Sequence, residues 1–315
     1  MLTQLKPEVM PFDQFAAGLQ SVCGAFEVVP PDDRTVVQGH VSAGSYAGLD
    51  MAMIAKDVQR TRRTEADVKR NPGEYVFLIV QEEGQSLMQQ AGTTTMMTPG
   101  DMILIDSTLP SEFTFFGKYM RHLSLHLSRA ELRQRFGDIS FSGRSIRAQD
   151  RHAIALSAII GSAFRPETSD TQSGFLKEAI FGVLGAALYE QTDPEQSRHF
   201  DADINTAQIL ERASAMIDRC FADSTLTPGC LAEQMGISIR HLQRAFACIG
   251  LTPTDYLMRR RLEKACRLLE ERKRSGAQTL VSTIAYQCGF NDVSYFNRQF
   301  RRAFDCSPGQ YPLDT

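Results

Sequence analysis

Residues 287–312 read QCGFNDVSYFNRQFRRAFDCSPGQYP, with phenylalanines at 296, 300 and 304 and arginines at 298, 301 and 302 between them. A four-residue apolar spacing marks one face of a helix, so the phenylalanines point inward and the arginines do not. Guanidinium groups on such a face have the chemistry to bond guanine or phosphate, although a basic helix face also serves as plain solvated surface. The rest of the chain decides between the two.

The same pattern occurs twice. LAEQMGISIRHLQRAF (231–246) lies over IAYQCGFNDVSYFNRQF (284–300), with Leu231, Ala232, Gln234 and Gly236 matching Ile284, Ala285, Gln287 and Gly289. After one inserted residue, Leu242, Arg244 and Phe246 match Phe296, Arg298 and Phe300. Each unit is a short helix, a glycine that permits a turn, and a second helix whose apolar face packs back on the first: a helix-turn-helix. In this arrangement the second helix enters the major groove and its outward residues meet base edges. Those residues are Arg240, Gln243 and Arg244, with His241 nearby, in the first unit, and Ser294, Asn297 and Arg298 in the second. Arginine pairs with guanine in bidentate fashion, and Gln or Asn with adenine. Ser238 and Asp292 suit the N-caps of the two helices.

The elements that must position these residues are helical from about 206 onward. AQILERASAMIDRCF precedes the first unit, and PTDYLMRRRLEKACRLLEERKRSG joins the two, opened by Thr252-Pro253 and closed near Gly276. Residues 205–315 carry 15 Lys and Arg against 11 Asp and Glu, whereas residues 1–204 carry 19 against 26, so a net charge of −3 conceals a basic C-terminal third. That asymmetry suits a domain that meets nucleic acid.

The first two thirds read differently. YVFLIVQ, QSLMQQ, TTTMMT, MILID and EFTFF are short strands separated by the turn signals EEG, Ala91-Gly92, Pro99-Gly100-Asp101 and Gly117-Lys118. They predict a small antiparallel barrel or sandwich. RHAIALSAIIGSAF (151–164) and SGFLKEAIFGVLGAALYEQ (173–191) have helical patterning with apolar residues on more than one face, which suits either packing within the chain or a homodimer interface. The polar stretch 191–205 reads as a linker. Phe77, Met88, Met102 and Phe113, with Tyr75, Met97 and Phe115, supply either the lining of an apolar pocket or a barrel core without one. Asp106 and Glu112 would meet an ammonium group if they point inward.

Composition is that of an ordinary globular chain of two-domain length: 315 residues, 43% hydrophobic and 23% charged. No apolar run is long enough to span a membrane, and the N-terminus lacks a secretory pattern, so a cytoplasmic location is expected. Seven cysteines without a CxxC pair are read as small core residues rather than metal ligands or disulfides. A cupin-type metalloenzyme is the competing class. His122 and His126 share a strand face but stand about 13 Å apart along an extended strand, too far to chelate one ion, and His40 is alone. No metal, cofactor or catalytic residue is expected.

Residues from about 206 to 312 resemble the double helix-turn-helix domain of the AraC/XylS transcription regulators, in LAEQMGIS-R-LQR-F, G-TP-DYL---RL--A--LL and GF-D-SYF-R-F-RAF--SP--Y. Asp305 stands where that family usually has glycine, and Pro312 where it often ends in arginine. The resemblance implies an α+β chain: a cupin-like effector-binding and dimerisation barrel with two helices over 1–192, a linker over 193–205, and an all-α DNA-binding domain over 206–315. LQSVCGAFEV, PGDMILIDSTLPSEFTFF and RHLSLHLSRAELRQRFG are similar to the subgroup that activates catabolism of aromatic amines such as phenylethylamine and tyramine. Its implied partners are promoter DNA, RNA polymerase and a small aromatic or amine-derived effector. A regulator whose N-terminal domain only dimerises is the alternative.

Overall fold

The computed structural model describes residues 8–29, 35–162, 169–190, 197–276 and 278–312. The chain divides into two compact units, Met1–Asn205 and Thr206–Thr315. Of the stretch expected as a linker, 191–196 lies outside the described residues, and 197–205 forms the opening turns of a helix.

The first unit begins with β1 (Glu8–Pro11), α1 (Phe12–Cys23), β2 (Glu27–Val29), β3 (Val36–Tyr46), β4 (Leu49–Lys56), β5 (Arg60–Arg63) and α2 (Glu65–Arg70). It continues with β6 (Tyr75–Gln90), β7 (Thr93–Met97), β8 (Met102–Asp106), β9 (Ser111–Ser128), α3 (Arg129–Phe136), β10 (Ser145–Ile146), α4 (Arg151–Ser162) and α5 (Asp170–Glu190). All ten strands join one curled antiparallel sheet with the path β1-β3-β4-β9-β6-β8-β10; β7 pairs with β6, and β5 bridges β2 and β9. The expected pair of helices is α4 and α5; residues 163 and 164 of the first prediction lie outside the described residues.

Two of the turn signals do something other than end a strand. EEG at 82–84 lies inside β6, where the register against β9 shifts between Gln81 and Glu83 and again between Glu83 and Gln85. Gly84 takes φ +77 there, and a Cβ on it would stand 2.7 Å from the Tyr119 carbonyl oxygen. A bulge of this kind bends a strand without terminating it. The first half of β6 can therefore pair with β8 and the second with β7. β9 likewise continues past 117, pairing with β5 at one end and β4 at the other. Two long bent strands thus curl the sheet. True two-residue turns occur at Ala47-Gly48 and Ala91-Gly92, where both residues have positive φ, as the tightest hairpins demand.

YVFLIV is apolar at every position because both faces of β6 are covered. Val76, Leu78 and Val80 join Leu123, Leu125 and Leu127 on the outer face, packed with Leu156, Ile160, Ile180 and Leu184 of α4 and α5. Phe77 and Ile79 face inward with Ile54, Ile103, Ile105 and Phe113, beneath Phe15 and Leu19 of α1. Each fully buried side chain of this size contributes about 1.5–3 kcal/mol.

The second unit takes α6 (Ser197–Cys220) from Thr206 onward, α7 (Pro228–Gln234), α8 (Ile239–Ala247), α9 (Pro253–Ser275), α10 (Val281–Gln287), α11 (Val293–Phe304) and a short 3-10 turn (Pro308–Gln310). α9 opens with a capping box in which Thr252 and Asp255 bond each other's backbone, and closes at Gly276 in the left-handed conformation. Asp305 does at the end of α11 what glycine does elsewhere: φ 55, with its N–H donating to the Arg301 carbonyl. Aspartate is among the few side chains that tolerate this region, so the turn keeps its form. α10 and α11 close on α9 through Leu262, Leu269, Ile284, Cys288, Phe290, Phe296 and Phe300.

The thiols only partly follow the core expectation. Cys266 and Cys288 are buried and Cys23 and Cys306 half-buried, but Cys220, Cys230 and Cys248 are exposed. The exposed three sit at helix ends, the last residue of α6, the first turn of α7 and the C-cap of α8, where the apolar stripe no longer turns inward. Titrating the folded protein with a chromogenic disulfide should label Cys220, Cys230 and Cys248 rapidly. Cys266 and Cys288, whose thiols burial pushes up to about 12, should react only after unfolding.

Candidate nucleic-acid interface and effector cavity

Helix α8 starts at Ser238, whose hydroxyl accepts the His241 N–H at 3.3 Å. Leu242, Ala245 and Phe246 are buried, which turns Arg240, His241, Gln243 and Arg244 to solvent. The imidazole of His241 lies 3.2 Å from the Ser238 hydroxyl, so it is tied to the cap as well as exposed. Helix α11 starts at Asp292, whose carboxylate accepts the Tyr295 N–H at 2.8 Å. Phe296 and Phe300 are buried; Ser294 and Arg298 are exposed and Asn297 half-buried. All seven sequence-predicted residues thus fall on two helices, four on α8 and three on α11. Two further side chains escaped sequence reasoning. Ile239 opens α8 at 46% exposure, and Tyr295 stands exposed on α11 with the Arg298 guanidinium 5.8 Å from its ring centre. An apolar residue at the start of a recognition helix is legible only once its orientation is known.

The arginine-rich sequence of α9 has a different role. Arg260 pairs with Asp218 of α6 at 2.8 Å and with Glu263 at 2.5 Å, and both Arg260 and Arg261 are buried. Arg261 donates to the carbonyl oxygens of Phe221 and Asp223, each at 2.8 Å. Tyr256 reaches Asp218 at 3.2 Å. The turn after α6 is thereby bolted to α9. The second helix-turn-helix leans on the same turn: Gly289 has φ +82, and a Cβ there would stand 2.7 Å from the Phe221 oxygen and 2.9 Å from that of Ala222. Part of the basic excess read from the sequence is therefore structural, while Arg240, Arg244, Arg298, Arg301 and Arg302 are exposed.

In the first unit, the inner face of the sheet and α1 flank a small cavity of about 30 Å³ that is partly open to solvent, lined among others by Leu19, Phe26, Ile54, Lys56, Phe77, Phe113 and His122. Of the expected effector residues, Phe77 and Phe113 line it. Met88 is buried in the same inner cluster behind the lining. Met102 is not there: it faces outward, into the cluster formed with α4 and α5. Strand parity is the reason, since Met102 pairs with Val80, another outward residue. Asp106 is also spoken for. Its carboxylate accepts from Arg129 at 3.1 Å and from Thr108 at 2.7 Å, and Glu112 pairs with Arg60 at 3.2 Å. Neither acid lines the cavity to meet an ammonium group.

His122 and His126 share the inward face of β9 with Ser124, but they lie in different company. His126 packs its ring 4.8 Å from that of Phe77. Burial lowers the pKa of both imidazoles, that of His122 well below its ordinary value, with the Lys56 charge adding to the effect. Among the described residues, the three acidic and imidazole groups that converge are Asp150, His152 and Glu190. His152 lies 2.9 Å from Asp150 and 3.2 Å from Glu190, which also binds Arg151 at 2.6 Å, so the trio forms a polar cluster tied to Arg151.

A curled sheet with a cavity on its inner face and a separate pair of helix-turn-helix units are the architecture of a DNA-binding regulator. An AraC-binding-like domain model matches residues 15–174 and a helix-turn-helix domain model residues 231–312. The chain belongs to the AraC family of transcription regulators. It is 26% identical over 308 residues to the transcriptional activator NphR of a Rhodococcus species, covering 95% of this chain and 88% of that protein. The activator RhaS of Klebsiella pneumoniae strain 342 is 34% identical over 166 residues, 52% of this chain and 54% of its own length. Among solved structures, the AraC-like activator CuxR shares the fold with a TM-score of 0.50 at 14% identity, over 89% of this chain and 99% of that one.

The two glycine turns separate conformational cost from collision. Gly236 has φ +66 with open space around it, whereas Gly289 has carbonyl oxygens in the way. Gly236→Ala should cost ~1 kcal/mol in urea unfolding, and Gly289→Ala at least ~2 kcal/mol because backbone must also move.

Proposed function

We propose that this chain activates transcription by presenting α8 and α11 to successive major-groove segments of a promoter. The observation that carries the reading is the pair of capped helices, each with its apolar face buried and Arg, Gln, Asn or Ser donors bare on the other side. Residues 206–315 are the DNA-binding domain in this reading, and 1–192 the effector-binding and dimerisation domain, with 193–205 between them. Arg244 and Arg298 read bases; Arg301 and Arg302, near the C-terminal end of α11, bond phosphate. The protein acts in the cytoplasm, as a regulator and not a catalyst. It recruits RNA polymerase, and a small aromatic effector in the cavity shifts it between arrangements that differ in DNA affinity. That NphR and RhaS are named activators supports the sign of regulation.

Arg244→Ala and Arg298→Ala should each weaken binding to the cognate site by roughly 1–3 kcal/mol while leaving binding to random DNA of equal length nearly unchanged. Mobility-shift titrations at one fixed salt concentration measure this, because phosphate contacts make all affinities salt-dependent. Equal losses on both DNAs would reduce these residues to phosphate contacts.

A homodimer formed through α4 and α5 is part of the same proposal. Ile154 at 59%, Phe175 at 74% and Tyr189 at 57% exposure lie on these helices, more apolar surface than a monomer needs there. Phe175→Glu should shift the sedimentation mass toward the monomer and leave the unfolding midpoint within about 0.5 kcal/mol of the parent.

A further inference from the structure

The cavity of the first unit contains a cation that meets no carboxylate among the described residues. Lys56 ends β4, and strand parity turns it inward beside Ile54, leaving it 2% exposed. Its ammonium group has one hydrogen bond, to the Thr61 hydroxyl at the long distance of 3.5 Å, and rests 4.0 Å from the Phe115 ring centre. No Asp or Glu lines the cavity among the described residues. The other deeply buried cation of the same sheet shows what a satisfied one looks like. Arg63, also 2% exposed, donates to the carbonyl oxygens of Ala25, Ser107 and Asn71.

Beside Lys56, His122 is 4% exposed, and its Nδ1 has no hydrogen-bond partner among the described residues. A buried cation without a counter-charge and a buried imidazole nitrogen without a hydrogen bond each carry a substantial desolvation cost. Burial drives the Lys56 pKa down to about 7, opposed in part by Cys23, so the group is held short of full charge near neutral pH until an anion arrives. Besides the hydroxyls of Thr61 and Ser124 and the Cys23 thiol, the remaining wall is apolar and partly aromatic: Leu19, Phe26, Ile54, Phe77 and Phe113.

We propose that the effector cavity binds a small aromatic carboxylate, its ring among Phe26, Phe77 and Phe113 and its carboxylate between the Lys56 ammonium and the His122 imidazole. This rests on the reading of the barrel as an effector site, and it replaces an amine head group by an acid. A primary ammonium group in the same place would face Lys56 with nothing to neutralise either charge. The carboxylate accepts from Lys56 Nζ and from a protonated ring nitrogen of His122, satisfying both groups at once. Ligand binding and lysine protonation are then coupled, and binding takes up protons when measured above the Lys56 pKa.

Three probes with the same ring and chain and different head groups test the assignment: phenylacetate, phenylacetamide and phenylethylamine. Calorimetric titration of each into the full-length protein at pH 7, without DNA, should give saturable binding for phenylacetate and at least tenfold weaker binding for the amide and the amine. Lys56→Met, which removes a buried charge at nearly constant volume, should raise the melting temperature of the unliganded protein and reduce phenylacetate affinity at least tenfold. His122→Asn provides a second variant, with a smaller loss for phenylacetate and none for the amide. Equal binding of the three head groups, unchanged affinity in Lys56→Met, or no binding of phenylacetate, benzoate or 3-phenylpropionate would overturn the assignment. A mobility shift run in parallel keeps the two readings apart: acid binding that leaves DNA affinity unchanged supports the cavity assignment and removes its regulatory role.

Discussion

The inward pull on four side chains, Leu242 and Phe246 in α8 and Phe296 and Phe300 in α11, orders everything that bears on DNA. A helix has one rotational freedom about its axis, and burying two or three large residues four apart removes it. Once those residues are fixed, the outward direction of Arg244 and Arg298 follows from the rotation of each helix. Caps at Ser238 and Asp292 then set where each helix starts. The turn at Phe221–Asp223 anchors both sides of the unit: Arg261 bonds it from α9, and Gly289 closes against it from the second helix-turn-helix.

The sheet obeys the opposite economy. Where α8 and α11 leave one face bare for a partner, β6 and β9 are covered on both faces, and residues of one parity pack on helices while those of the other line the interior. A polar side chain of inward parity therefore has no route to water. Ser124, His122, Thr61 and Lys56 are among the buried polar side chains that line the cavity, and their chemistry bears on what it will accept. Asp106 and Glu112, by contrast, are held in ion pairs outside it.

Much of this was legible in the sequence where repetition or period carried it. The duplicated helix-glycine-helix unit gave both recognition helices, their caps and their outward residues, because a 3.6-residue period converts directly into a face. The barrel was legible as strands but not as topology. EEG reads as a turn locally, and only the competing demand of pairing with β7, β8 and β9 makes it a bulge in a longer strand. Met102 fails as a cavity residue for a similar reason: parity is defined relative to a partner strand, and the partner is not in the local sequence. Lys56 was missed because a lysine at the end of LDMAMIAK looks like a strand terminus reaching water. Its parity with Ala52 and Ile54 was the available signal, and it mattered only once the strand proved to be covered.

The central claim is that one chain reads DNA with two separate helices. A base-by-base substitution scan of the promoter site, binding measured with the unaltered protein, Arg244→Ala and Arg298→Ala, tests it most directly. The account predicts that each variant loses discrimination at its own short set of base pairs, the two sets about one helical turn, roughly 10 base pairs, apart. Loss of discrimination at the same positions in both variants, or at none in one of them, would contradict it.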